Sequence, residues 1–221
     1  MRLQVVACWH GHRREGAAAS GGLDGGDYLY GSDGSDYLQG NAGNDMLEGG
    51  TGPDRINGGA DNDEILGDFG NDSIDGNRGD DRIDGGYGDD LLFGNDGSDR
   101  LIGGDGEDVI LFGGNSALIA GGAQDVIDDF EDGTDRIWVD YQVASVLTAN
   151  GPAASDLAAA TATAQLLFAI HSGRSEVALV KVGTDTYLFY SQGNDGVADS
   201  SVRLAGVDPA NIMLSDFALA V

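Results

Sequence analysis

One cysteine, Cys8, stands in the whole chain, so no disulfide can form within it. Prolines number three, histidines three and basic residues 11, against 38 acidic residues. Each shortage excludes something. No run of 18 apolar residues occurs, and this excludes a transmembrane helix. A net charge of −27 repels phosphate, which removes nucleic acid as a partner and makes cations the natural one. His10, His12 and His171 are scattered and no HExxH occurs, so a zinc or copper cluster has no donors. No GxSxG elbow is present and no GK[ST] follows a glycine-rich turn, which removes the common hydrolase nucleophile and the phosphate loop. The apolar stretch between Leu3 and Trp9 is only about six residues, short for a signal-peptide core, and Arg13-Arg14 runs into Glu15. The expectation is a chain without a cleaved N-terminal leader. A disulfide-free protein outside the cell needs another staple, and metal is the usual substitute.

What is abundant is glycine, 38 residues of it, and it keeps time. From Gly22 to Leu111 the chain divides without a gap into ten nonapeptides, among them GSDGSDYLQ, GNAGNDMLE and GGYGDDLLF. Position one is always glycine: Gly22, Gly31, Gly40, Gly49, Gly58, Gly67, Gly76, Gly85, Gly94 and Gly103. Position four is Gly25, Gly34, Gly43, Gly52, Gly70, Gly79, Gly88, Gly97 and Gly106, with Asp61 the exception. Position six is always aspartate: Asp27, Asp36, Asp45, Asp54, Asp63, Asp72, Asp81, Asp90, Asp99 and Asp108. Position eight is always leucine or isoleucine, from Leu29 and Leu38 to Leu101 and Ile110.

Six residues rich in Gly, Asn and Asp make a turn, because glycine accepts positive φ without steric cost. The next three place one apolar residue between two more polar ones, a very short strand with its centre pointing inward. Turn and strand, repeated, wind a solenoid in which two repeats complete a coil. Residues 18 apart then stack, and two parallel sheets face each other across a thin core of Leu and Ile. Stacking also builds two columns of carboxylates, Asp27-45-63-81-99 and Asp36-54-72-90-108. Residues 22–111 hold 23 acids against four arginines, so the columns repel unless something positive sits between them. Calcium fits best, a hard cation that takes six to eight oxygens and accepts backbone carbonyls, whereas magnesium demands a tighter octahedron. Four gaps in each column give about eight ions.

GGxGxD followed by x-Leu/Ile-x resembles the nonapeptide of the RTX (hemolysin-type) calcium-binding proteins. The resemblance covers about 40% of the chain. It implies a parallel β-roll in which each calcium is shared by neighbouring turns of one column. The position-six aspartates would be the carboxylate ligands, with carbonyls from the position-one and position-four glycines named above. Asp36 would share an ion with Asp54, not with Asp45. Asp61 puts a side chain where the family has glycine.

The register breaks after Leu111. FGGNSALIA, residues 112–120, carries Ala117 in place of the aspartate and is expected to lack a full site. GGAQDVIDDFEDGTDRIWV (Gly121–Val139) resembles the segment that ends such repeats, and Asp125 is expected to close the even column, the one that contains Asp36. The organisation expected is an unpatterned segment 1–21, the calcium-binding roll 22–120, and a C-terminal cap with a type I secretion region 121–221. Outward Leu91, Phe93, Val109 and Leu111 make one sheet face apolar, and residues 141–190 are expected to cover it. A helix with its N-cap at Ser155 ends near Gly173, a hairpin turns near Gly183, and SVRLAGV forms a further strand. GNDGVADS reads as a surface turn. The tail NIMLSDFALAV resembles an uncleaved type I secretion signal.

The fold class expected is therefore mainly all-β, a parallel β-roll with a small α+β cap. The resemblance implies a non-enzymatic module exported by type I secretion machinery to the extracellular space, disordered without calcium and folding in it. The affinity expected is weak, roughly 10⁻⁴–10⁻³ M per site. The alternative is the C-terminal part of a larger exoenzyme, a protease, lipase or polysaccharide-modifying enzyme. Its partners would then include an attached catalytic domain or an extracellular polysaccharide.

Overall fold

A computed structural model describes residues 4–7, 19–112, 124–131, 133–139, 145–149, 153–171, 176–190 and 200–217. Two short strands, β1 (Gln4–Ala7) and β2 (Ala19–Gly21), precede the repeats. The repeats form β3 (Asp27–Asp33), β4 (Tyr37–Ala42), β5 (Met46–Thr51), β6 (Arg55–Ala60), β7 (Glu64–Phe69), β8 (Ser73–Arg78), β9 (Arg82–Tyr87), β10 (Leu91–Asp96), β11 (Arg100–Asp105) and β12 (Val109–Phe112). Then follow β13 (Asp125–Ile127), β14 (Arg136–Val139), β15 (Ser145–Thr148), the helix α1 (Leu157–His171), β16 (Glu176–Val182), β17 (Asp185–Tyr190) and β18 (Ser200–Leu204).

The odd strands from β1 to β13 lie side by side in one sheet and the even strands from β2 to β14 in the other, a parallel β-solenoid. The register is the repeat made visible: Leu29 pairs Leu47 and Leu38 pairs Ile56, each 18 residues on. All ten position-eight residues are at most 1% exposed and form the core between the sheets. Burying a Leu or Ile contributes roughly 1.5–3 kcal/mol, so this single file is the main apolar stabilisation the repeats have.

The strands are longer than the three residues expected. From β4 to β11 they run six residues, through positions seven to three of the next repeat, because the ladder resumes beyond the glycine at position one. The chain bends there. Position two takes left-handed φ at Ser32, Asn41, Asp68, Asn77 and Asn95, residues that tolerate it better than most. Position four does the same, and Asp61 (φ 74°) adopts the conformation of the glycines it replaces.

Position-one glycine answers a different need. Its φ is ordinary, but a Cβ on Gly49 would lie 2.5 Å from Asp54 Oδ2 and 2.8 Å from the Gly67 carbonyl. The glycine is required by close approach, not by its backbone angle. The segment before the repeats also carries pattern that the period of nine hides. β1 pairs β3 with Val6 opposite Leu29, and β2 pairs β4 with Ser20 opposite Leu38, so each sheet gains a strand ahead of the repeats.

Past β12 the sheets skip. β11 pairs directly with β13, with Leu101 opposite Ile127, and β12 pairs with β14, with Ile110 opposite Ile137. β13 is thus the neighbour of β11, and residues 113–123, which hold the divergent repeat after Phe112, lie outside the described residues. Where the short β13 stops, Gly103 and Gly104 have no partner on that side of β11. Their N–H groups donate instead to the two carboxylate oxygens of Asp129, at 3.0 and 2.9 Å.

The C-terminal region sits elsewhere than expected. Its described elements form no layer over Leu91, Phe93, Val109 and Leu111. It lengthens the odd sheet, in the order β13-β18-β17-β16-β15. Parallel pairing of β18 with the open edge of β13 satisfies backbone groups that a separate layer would leave unpaired. Among the described residues, those four outward side chains stay half-buried.

The hairpin β16–β17 turns at Gly183 (φ 63°), as the sequence indicates. Helix α1 packs Ala160, Ala164 and Phe168 on Ala178, Val180 and Phe189 of that hairpin. Its cap is Asp156, which accepts from the Ala159 N–H at 2.9 Å; Ser155 only donates to Asp156, one residue outside the helix. The described part of the tail includes a 3₁₀ turn, Leu214–Asp216, where buried Asp216 accepts from the Met213 N–H, and Phe217 bridges to Ile137 of β14. No helix among the described residues is long and apolar enough to cross a membrane.

Candidate metal centre

The ten position-six aspartates are all at most 4% exposed, a fraction that ordinary solvated turns do not reach. Each closes its turn just before the strand, except Asp27, which opens β3, and points back into the coil. In each pair the earlier backbone N–H donates to the later carboxylate. Asp27 donates to Asp45 Oδ1 at 2.8 Å, Asp36 to Asp54 at 2.7 Å, Asp63 to Asp81 at 2.8 Å and Asp90 to Asp108 at 2.9 Å. These bonds tie residues 18 apart, so the two columns are those the repeat implies.

The other carboxylate oxygen is left over. Oδ2 of Asp45, Asp54, Asp63, Asp72, Asp81, Asp90, Asp99 and Asp108 is buried and accepts no hydrogen bond. A row of such atoms is costly unless an ion or water completes it. Carbonyls share the space. Around the gap between the turns of Asp54 and Asp72, the Gly67 carbonyl and Asp54 Oδ2 both crowd the Gly49 Cα, and the Gly52 carbonyl lies against Gly70.

Among the described residues, no three His, Cys, Asp or Glu side chains converge as a metal cluster. Each gap instead offers carboxylate oxygen with backbone carbonyls, an all-oxygen set that suits calcium and not zinc or copper. The residues present fit the ion. They are Asp carboxylates from successive turns of one column, with position-one and position-four carbonyls between them.

Without a cation the columns are electrostatically uncomfortable. Burial, reinforced by neighbouring carboxylates, pushes Asp54, Asp63 and Asp90 up to about 7. It pushes Asp72, Asp81 and Asp108 to about 6, and Asp99 to about 8. Backbone N–H donation to the carboxylates opposes these shifts and does not cancel them. A divalent cation between the turns would let such groups ionise.

Asp125 joins the odd column, not the even one. It accepts from the Asp99 N–H at 3.0 Å, its Oδ2 has no partner, and burial raises it to about 7. The reason is the skipped repeat: β13 follows β11, so Asp125 stacks on Asp99 although 26 residues separate them.

The even column continues to a residue the sequence reading missed. Asp135 is 2% exposed and its Oδ1 accepts from the Asp108 N–H at 3.3 Å. Its signal was available: Gly133, Asp135 and Ile137 hold positions four, six and eight of a nonapeptide whose position one is Phe130. The acidic turn around GNDGVADS lies outside the described residues.

The model of the RTX calcium-binding nonapeptide repeat matches the chain four times, over residues 21–56, 40–74, 48–83 and 75–110. The chain is similar to the solution structure of the AlgE6R2 subunit from the Azotobacter vinelandii mannuronan C5-epimerase. Identity is 27%, with 74% of this chain and 92% of that one covered, at a TM-score of 0.47. It is also similar to the AlgE6R3 subunit of that epimerase, at 26% identity over 78% of this chain and 81% of that one, with a TM-score of 0.30. The extracellular lipase LipA from Serratia marcescens matches at 15% identity over 98% of this chain and 42% of that one, with a TM-score of 0.32. No curated protein matches. Residues 21–110 thus carry RTX calcium-binding nonapeptide repeats, and the parallel β-solenoid they build is a calcium-binding repeat fold.

Proposed function

We propose that this chain is a secreted module that folds when it meets extracellular calcium. The observation that carries the reading is the pair of columns of buried carboxylate oxygens without hydrogen-bond partners. They make the coil unstable alone and stable around cations. The ions would be held by Asp27, Asp45, Asp63, Asp81, Asp99 and Asp125 in one column and by the aspartates from Asp36 to Asp108 in the other, with carbonyls of the glycine-rich turns. In a cytoplasm poor in calcium the chain stays extended, the form a type I exporter can thread. Outside, millimolar calcium folds it and prevents backsliding. Site affinities fall at roughly 10⁻⁴–10⁻³ M, with cooperativity from shared ligands.

Circular dichroism during a calcium titration tests this. Metal-free protein is expected to be largely unstructured over the repeats and to gain β signal across the millimolar range. A chain equally β-rich in excess chelator, or indifferent to millimolar calcium, overturns it.

A further inference from the structure

We propose that the Asn57–Gly58 bond is a self-modification site, open in the metal-free chain and closed by calcium-driven folding, and that its reaction disables the coil. It rests on the reading of this chain as unstructured without calcium.

An Asn–Gly step cyclises readily, because glycine has no Cβ to shield its own nitrogen and its backbone reaches most conformations. The chain has two such steps, Asn57–Gly58 and Asn150–Gly151, and only the first lies in the repeats. The reaction needs no partner but water. The Gly58 nitrogen attacks Asn57 Cγ, the Cγ–Nδ2 bond breaks, and ammonia leaves with the proton of the Gly58 N–H. Water then opens the five-membered imide at one of its two carbonyls. One product is aspartate. The other is isoaspartate, in which the main chain runs through the side chain and is one methylene longer.

The folded coil blocks the first step. Asn57 lies in β6, inside the even sheet, with Gln39 of β4 in register on one side and Asp75 of β8 on the other. Its side chain is half-buried and Gly58 is buried. Strand side chains stand away from the plane of the sheet. Closing the imide folds the Asn57 side chain back onto the next peptide unit, and a strand paired on both sides must open before that can happen.

The products do not fit the coil. Gly58 has no room to shift: a Cβ there would run into Asp63 Oδ2 and lie 2.9 Å from the Gly76 carbonyl. The extra methylene of isoaspartate displaces Gly58 and takes Gly59 out of register with Asn41 and Asn77. Aspartate keeps the chain length but sets a second carboxylate opposite Asp75. A chain kept from calcium is retired by its own chemistry, while one that folds keeps Asn57.

The test uses the full chain and Asn57→Gln. Gln39 holds the same position one coil back, and the longer glutamine side chain closes an imide far more slowly. Both chains are aged at neutral pH in excess chelator or in millimolar calcium, and residue 57 is followed by peptide mapping with mass spectrometry. The expected result is a mass gain of one dalton at Asn57 that accumulates about tenfold faster in chelator than in calcium. Returned to calcium, the aged native chain should regain less β signal than aged Asn57→Gln.

Equal loss of Asn57 in calcium and in chelator overturns the proposal, and so does equal recovery of the two aged chains. If Asn57→Gln does not fold, aged and fresh native chains are compared, and equal recovery overturns it. Circular dichroism of the same samples separates the two levels of the reading. A chain unstructured in chelator that still keeps Asn57 sinks this proposal alone. A chain as β-rich in chelator as in calcium sinks calcium-driven folding, and this proposal with it.

Discussion

A single methyl group distinguishes the two kinds of glycine in this coil. At position one the obstacle to alanine is space. Gly49→Ala forces a Cβ between Asp54 Oδ2 and the Gly67 carbonyl, the oxygens that border one cation gap. We expect it to destabilise the calcium-bound roll by about 1–3 kcal/mol and to raise the calcium midpoint severalfold. At position two the obstacle is backbone strain, and it runs the other way. Asp68 holds φ of 70°, and burial together with Glu48 and Asp84 raises its carboxyl. Asp68→Gly removes the strain and the repulsion, so it should stabilise the roll by about 1 kcal/mol. Denaturant melts in calcium check both signs.

The column aspartates also set a pH dependence for the metal-free chain. The folded values of Asp54, Asp63, Asp72, Asp81, Asp90, Asp99, Asp108 and Asp125, about 6 to 8, lie above the ordinary carboxylate value. The folded form therefore holds protons that the unfolded chain releases, and stability falls as pH rises through that range. Metal-free protein should show more β signal near pH 5 than near pH 8, and calcium binding near pH 6 should release protons. Equal β signal at both pH values, measured on chelator-stripped protein, would remove the link.

Elements show where the pattern could be read and where it could not. A period of nine fixes pairing at 18, so both sheets, the core row and both columns follow from the letters alone. The left-handed corner was also present in the letters, as Ser, Asn, Asp or Gly at position two from Ser32 to Gly104, but these are ordinary residues at any position of a turn and do not by themselves mark a corner. The skip from β11 to β13 was not legible, because nothing local in 112–123 says that the ladder will resume 26 residues on. That skip moved Asp125 to the other column, and Phe130 in a glycine position disguised the turn of Asp135.

Asp129 belongs to this scale, since it ends a strand pairing. A carboxylate takes over from a backbone acceptor for two adjacent N–H groups. Asp129→Ala leaves both donors unmet and should cost about 2–3 kcal/mol. Amide exchange at Gly103 and Gly104 should accelerate more than at Gly85 and Gly86, one coil back. Unchanged exchange at the four glycines would mean that the carboxylate contributes nothing there.

At the scale of the molecule, roll and cap are one object. The odd sheet runs without a break from β1 through β13 to β15, and one core contains Leu29 and Leu101 of the repeats with Leu179, Tyr190 and Val202 of the cap. Calcium that binds only the folded coil stabilises it by mass action. Each site held at 10 to 100 times its dissociation constant contributes about 1.4–2.7 kcal/mol. Summed over the columns, this exceeds the margin by which most domains are stable. Removing calcium should therefore unzip the repeats, and the loss of β13 then strips β18 of its parallel partner. The cap strands should loosen with the roll although no column aspartate lies in them. Hydrogen exchange during calcium titration tests this coupling: peptides covering β7 and β17 should lose protection at the same calcium concentration. Protection of β17 that persists in chelator after β7 has exchanged would show that the cap holds its fold alone, and that the shared sheet transmits nothing.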